Sequence, residues 1–209
     1  MKSAATIMRQ GLFDVAMVLA FWLVATAALA QIPIAAAQWQ KELTKHAQAE
    51  YGINAPIANF AAQIHQESGW RANARSPVGA LGMTQFMPAT ANWISKLFPS
   101  ELGDNDPSNP EWSIRALVKY NKFLENRVRH ATDKCERLAF AMAGYNGGEG
   151  WVRKRQALSP APAICFGVTC LINPGIKPSN QKENAHYTTR ILHEVTPRYV
   201  KAGWGLSAC

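Results

Sequence analysis

The chain has 209 residues, of which 48% are hydrophobic and 17% charged, and its 22 Lys and Arg against 14 Asp and Glu give a formal net charge of +8. That length holds one domain, or one domain with a small extension, and so apolar a composition excludes a disordered chain. The positive balance favours anionic partners without choosing among nucleic acid, membrane surfaces and acidic polymers.

Lys2 and Arg9 precede a mostly apolar run from Val15 to Ala30 (VAMVLAFWLVATAALA) that ends in Ala28-Leu29-Ala30. A basic start, a short apolar core and a small-x-small site read as an export signal cleaved after Ala30. The run is shorter than the ~20 residues that usually span a bilayer. A second reading keeps residues 12–30 as a tether to the inner membrane. The expected organisation is therefore a signal peptide or signal-anchor over 1–30 and one domain over 31–209, with its core at about 40–200, exported to the periplasm or cell envelope. Cleavage would remove Lys2, Arg9 and Asp14.

Trp39 to Tyr51 reads as a helix with Lys and Gln outside. Asn54 is placed to cap the next helix, with Pro56 in its first turn. Ile57, Phe60, Ala61 and Ile64 then recur at i, i+3, i+4 and i+7, an inward stripe that Glu67 continues before Gly69 offers a stop. Residues 71–87 form a loop of Gly, Ser and small residues. Pro88 opens a helix on which Trp93, Ile94 and Leu97 are expected to share a face. Asn109-Pro110 starts another, with Ile114, Leu117, Val118, Asn121 and Leu124 inward. Leu138, Ala139, Met142 and Ala143 mark a further helix, ending near Tyr145-Asn146-Gly147-Gly148. Residues 156–182 read as irregular, with a small hairpin from Ile164 to Ile172. A last helix runs from about Glu183 to Thr196, where Pro197 should end it. The fold class is mainly α, one domain with at most a small β-hairpin.

Four cysteines, Cys135, Cys165, Cys170 and Cys209, suit two disulfides in an exported chain, with three pairings open. A local staple between Cys165 and Cys170 would leave Cys135 for Cys209. No second close Cys or His pair completes a zinc site and no HExxH pattern occurs, so no metal and no cofactor are expected. His65, two residues before Glu67, should be exposed. Arg153-Lys154-Arg155, with Lys119, Lys122, Arg127 and Arg129, reads as a solvated basic face rather than a nucleic-acid site. Trp70 and Trp151 are candidate sugar-stacking platforms.

Glu67 is the candidate for chemistry. Burial, the negative end of its helix and the lack of a cation on that face all disfavour its charge, so its pKa should rise, as suits a general acid near neutrality. The bland alternative is a solvated side chain or a pair with Arg71. Asp104, Asp106 and Glu111 are possible second carboxylates, but their setting among Asn and Pro points to turns and helix starts.

Three ordered blocks carry a resemblance. Glu67-Ser68, Ser76, Gly79-Ala80-Leu81-Gly82, Gln85, Met87-Pro88 and Thr90 are similar to the leading motifs of SLT-type lytic transglycosylases, relatives of goose-type lysozyme. Gly144-Tyr145-Asn146-Gly147-Gly148 resembles the second block, and Glu183 to Arg190 (ENAHYTTR), with Tyr187, the third. The departures are Met83-Thr84 before Gln85 and Gly144 before Tyr145, where a looser cleft wall is possible.

The resemblance implies a lysozyme-like fold and cleavage of the MurNAc-β-1,4-GlcNAc bond of peptidoglycan. Glu67 would act as the single general acid and base, the substrate acetamido group would assist, and 1,6-anhydromuramyl ends would form. It further implies that Ser68, Ser76, Gln85, Met87, Tyr145, Asn146 and Tyr187 bind substrate or support the acid. The expected partner is the peptidoglycan glycan strand, met by a monomer. A phage endolysin and a periplasmic wall-remodelling enzyme both fit. The compact domain behind a short Ala-rich apolar segment resembles signal-arrest-release endolysins and tilts the reading toward the phage. A hydrolytic lysozyme of the same fold and a non-catalytic glycan binder are the alternatives.

Overall fold

The computed structural model describes residues 32–209, so the expected export segment lies outside the described residues. A 3₁₀ turn, Ile34–Trp39, leads into α1 (Gln40–Tyr51) and α2 (Ile57–Ser68). The expected stripe of α2 is present, with Phe60, Ala61 and Ile64 wholly buried. Ala58, Asn59, Ala62 and Gln63 are buried too, so α2 is enclosed on almost every side. Asn54 does not cap this helix, which has no side-chain cap. The Ala58 N–H donates instead to Leu206 O at 3.2 Å, so the C-terminal tail satisfies a first-turn donor that would otherwise be orphaned. That tail is tied down by Ala208 N–H to Asn59 Oδ1 (2.8 Å) and by a disulfide from Cys209 to Cys135.

The chain continues through α3 (Pro88–Leu97), a single turn α4 (Pro99–Leu102), α5 (Pro110–Arg127), α6 (Lys134–Gly147) and α7 (Glu149–Leu158). Asn109 caps α5 as its sequence predicts, its Oδ1 accepting from the Glu111 and Trp112 N–H groups. All five residues expected inward on α5 are buried, as are the four on α6. On α3, however, the buried residues are Ala91, Ile94 and Ser95, of which the first two join Phe86, Leu102, Trp112 and Ala116. Trp93 and Leu97 are exposed, and Trp93 rests edge-on against Tyr120 and Phe123. Of the adjacent pair only Ile94 enters the core, because Tyr120 and Phe123 of α5 hold Trp93 at the surface.

Past α6 the structure departs further from expectation. Gly148, at φ 97°, breaks α6 and starts α7, so the irregular stretch narrows to residues 159–177. The expected hairpin from Ile164 to Ile172 is absent. A 3₁₀ turn, Thr169–Leu171, lies there, with Cys170 N–H bonded to Cys165 O and a Cys165–Cys170 disulfide closing the loop. Among the described residues the isolated β-bridges are Arg75 with Leu81 and Leu81 with Phe86, in the loop before α3. α8 (Pro178–Thr189) begins earlier than expected, and Pro197 does not end the helical run. A π turn, Arg190–Val195, leads into α9 (Thr196–Lys201), where Pro197 occupies the first turn and its missing N–H breaks no bond.

The basic run is not a free cationic face. Lys119 pairs with Glu50 and Glu101, Arg127 and Arg153 pair with Glu149, and Lys122 and Lys154 lie over the Tyr51 and Trp151 rings. Arg155 is buried at 1% exposure.

The two disulfides close loops of very different size, with separations of 74 and 5 residues. Chain-entropy arguments assign the longer loop about 4 kcal/mol and the shorter about 2 kcal/mol. Denaturant unfolding should therefore show C135A/C209A losing roughly twice the stability that C165A/C170A loses.

Candidate active site

The loop between α2 and α3 is shaped by backbone that few residues tolerate. Gly82 has φ 75°, and a Cβ there would fall 1.7 Å from Pro107 O, so no other residue fits. Gln85 is held at φ 53° in the left-handed region, with its Nε2 donating to Gly82 O at 2.9 Å. Strain of this kind persists only where its surroundings enforce it. Here the enforced turn presents Gln85 to a cleft of about 390 Å³ that runs across the end of α2.

Glu67, Ser76, Gln85, Met87, Tyr145, Asn146 and Tyr187 all line this cleft. They arrive from α2, the 71–87 loop, α6 and α8. Ser68 does not join them. Its hydroxyl is buried, donating to Met83 O at 2.7 Å and accepting from the Arg71 N–H at 3.1 Å, which pins the loop to the end of α2. Tyr145 O–H donates to Thr84 O at 2.8 Å. Met83 and Thr84 thus contribute backbone carbonyls that hold Ser68 and Tyr145, and their own side chains are buried outside the cleft lining. Gly144 faces Leu124 and Glu149, where a Cβ would make ordinary contacts at 3.5 and 3.8 Å, so that departure lies outside the cleft lining.

Glu67 occupies the penultimate position of α2 and receives the Tyr187 O–H on Oε1. Behind it runs a buried chain of donors: Asn121 Nδ2 to Gln63 Oε1 (2.8 Å), then Gln63 Nε2 to Tyr187 Oη (3.2 Å). Burial pushes the Glu67 carboxyl up to about 8. The Tyr187 hydrogen bond opposes that rise and the like charge of Glu183 adds to it. At pH 7 the acid form is then favoured by about ten to one. Arg71 does not neutralise it, because its Nε donates to Ser68 O at 2.8 Å.

Sequence reasoning missed Gln63 as support and Glu183 as a second carboxylate in the cleft. Both stand one helical turn from residues it did single out, Gln63 four before Glu67 and Glu183 four before Tyr187, and that spacing was the available signal. Asp104, Asp106 and Glu111 do not line the cleft; Asp106 Oδ1 accepts the Ser108 N–H, and Glu111 sits in the first turn of α5. His65 is not fully exposed but half-buried, with Nδ1 3.1 Å from Tyr199 Oη. Trp70 is buried and donates to the same hydroxyl at 2.6 Å, so it offers no stacking face, whereas Trp151 is 38% exposed beneath Lys154.

Similarity to known proteins agrees with this geometry. Residues 42–164, more than half of the chain, match the Transglycosylase SLT domain family. Membrane-bound lytic murein transglycosylase F of Shewanella loihica is 34% identical over 115 residues, covering 55% of this chain and 22% of that protein. The Vibrio parahaemolyticus protein of the same name is 35% identical over 102 residues, covering 49% and 18%. The chain thus spans about a fifth of the length of these curated relatives. Among solved structures, the 70 kDa soluble lytic transglycosylase of Escherichia coli superposes with a TM-score of 0.61 at 24% identity, over 81% of this chain and 25% of that one. An inactive mutant of the lytic transglycosylase Slt from Pseudomonas aeruginosa superposes with a TM-score of 0.55 at 21% identity, over 80% and 25%. These last two likenesses show the shared fold. From its helices, its cleft and the extent of the family match, the chain belongs to the transglycosylase SLT domain family.

Proposed function

We propose that the chain is a peptidoglycan lytic transglycosylase that uses Glu67 as its single general acid and base. The observation that carries this reading is the Glu67 carboxyl, pushed up to about 8 at the floor of an open cleft and hydrogen-bonded by Tyr187. A protonated carboxyl of this kind can deliver its proton to the glycosidic oxygen between MurNAc and GlcNAc as the bond to C1 breaks. The muramyl 2-acetamido oxygen bonds to C1 in its place. The C6 hydroxyl oxygen then displaces it, and the hydroxyl proton passes to the ionised Glu67. A 1,6-anhydro ring is left, no water is consumed, and the acid is regenerated.

Ser76, Gln85, Met87, Tyr145 and Asn146 would hold the glycan, Tyr187 would orient the acid, and Ser68 would act indirectly by anchoring the loop. The names of the curated relatives, membrane-bound enzymes of bacteria, support a wall-remodelling setting in the bacterial envelope over the phage setting. A tether through residues 12–30 belongs to the same proposal. Glu183 favours a second reading, hydrolysis, because a second carboxylate in the cleft is what a lysozyme uses to activate water or stabilise the cation.

Digestion of purified peptidoglycan with mass spectrometry of the fragments separates the readings. Anhydromuropeptides are expected from the wild-type chain. E67Q should lose activity by a factor of about 10² to 10⁴, the usual worth of a positioned acid. Reducing ends would indicate a hydrolase, and no release at all would leave a glycan binder.

The pH profile follows from the direction of the shift. Because the protonated form is the active one, kcat/KM should be flat up to about pH 8 and fall about tenfold per unit above it. In Y187F the hydrogen bond that favours the ionised form is gone, so this alkaline limb should move to higher pH. A limb near the ordinary carboxyl range would contradict both expectations.

A further inference from the structure

Arg155 on α7 is 1% exposed, and its guanidinium meets only neutral partners. Nε donates to Ile172 O at 3.1 Å, Nη1 to Asn184 Oδ1 at 2.6 Å and Nη2 to Gln181 Oε1 at 2.7 Å. Burying a cation without a counter-ion is costly, and the cost calls for an explanation beyond packing. A guanidinium has donors and no acceptor. Asn184 must therefore turn its oxygen to Arg155 and its NH₂ away. That NH₂ donates to Ala143 O at 3.0 Å and to Asn146 Oδ1 at 2.8 Å. The Asn146 oxygen is thereby occupied, and the Asn146 NH₂ is what faces the cleft, 3.4 Å from Glu183 Oε1. The fit is close. A Cβ on Gly147 would lie 2.6 Å from Asn184 Nδ2, so glycine at 147 is what lets this amide sit between α6 and α8.

We propose that Arg155 is a positioning residue whose donor-only chemistry fixes the orientation of the Asn184 and Asn146 amides in turn, so that the cleft presents an NH₂ donor to an acceptor oxygen of the glycan. The proposal rests on the reading of the cleft as a glycan site. Arg155 itself touches neither substrate nor Glu67. It acts over two side chains, and reversing the polarity at any link reverses the group that the cleft displays.

The test uses N184D, R155M and R155K of the full chain, with thermal melts to establish folding. N184D is isosteric and pairs with Arg155, but a carboxylate cannot donate to Asn146. Asn146 must then turn its NH₂ toward position 184 and offer its oxygen to the cleft beside Glu183. Binding of a soluble N-acetylglucosamine oligomer is read by tryptophan fluorescence, and KM and kcat on solubilised peptidoglycan are read separately. N184D is expected to raise Kd and KM about tenfold with a smaller change in kcat, and R155M to raise them several-fold. R155K, which keeps a donor for Asn184 Oδ1, should lose less than R155M. The proposal is overturned if folded N184D binds as the wild type does, or if R155K and R155M weaken binding equally. Should N184D fail to fold, the comparison of R155K with R155M decides. A wild-type chain that binds the oligomer, weakened in N184D, yet forms no anhydro ends would support this proposal while refuting the activity proposed above.

Discussion

The carboxyl of Glu67 is half-buried at the end of a helix that is itself buried on nearly every side, and the rest of the structure answers to that placement. A half-exposed α2 would leave the same residue solvated and ordinary. The enclosure comes from α1, α9 and the π turn, and from the C-terminal tail that accepts the Ala58 N–H and is stapled to α6 by Cys135–Cys209. Burial disfavours the charged form, whereas the Tyr187 hydroxyl favours it, and burial is the larger effect. The acid is thus held neutral near pH 7 while one of its oxygens stays oriented.

Two chains of directed hydrogen bonds converge on the cleft, and both pass through α8. One runs from Asn121 through Gln63 and Tyr187 to Glu67; the other runs from Arg155 through Asn184 to Asn146. Each link has a fixed sense, because a buried donor facing a donor would leave both unsatisfied. α8 accordingly buries Gln181, Asn184 and Thr188 beside Tyr187, where an ordinary helix would bury aliphatic side chains. Its loose apolar patterning follows from its duty as the polar wall of a cleft.

Much of the fold was legible. The stripe on α2, the Asn109-Pro110 start of α5 and the inward faces of α5 and α6 are repetitive packing signals, and packing settles them locally. The motif blocks named seven residues that do meet in one cleft. What escaped depends on contacts between segments distant in sequence. Asn54 looked like a cap because nothing local announces that Leu206 will serve α2. Arg155 looked solvated because a basic triplet usually is, and its partners lie 17 to 29 residues downstream. Pro197 looked like a terminator because the π turn that accommodates it has no sequence signature. The Ile164–Ile172 hairpin failed because Thr169 N–H and Cys170 N–H fold back on Ile164 O and Cys165 O and the chain then turns into a 3₁₀ helix, a local closure that alternating apolar residues do not announce.

Direct titration of the Glu67 carboxyl tests the account where it is most exposed. In a chain carrying ¹³Cδ-labelled glutamate, with the Glu67 resonance assigned from its loss in E67Q, the carbon shift should follow a transition at about pH 8. A transition near 4.5, the ordinary glutamate value, would mean that the group is ionised at neutrality and has no proton to give.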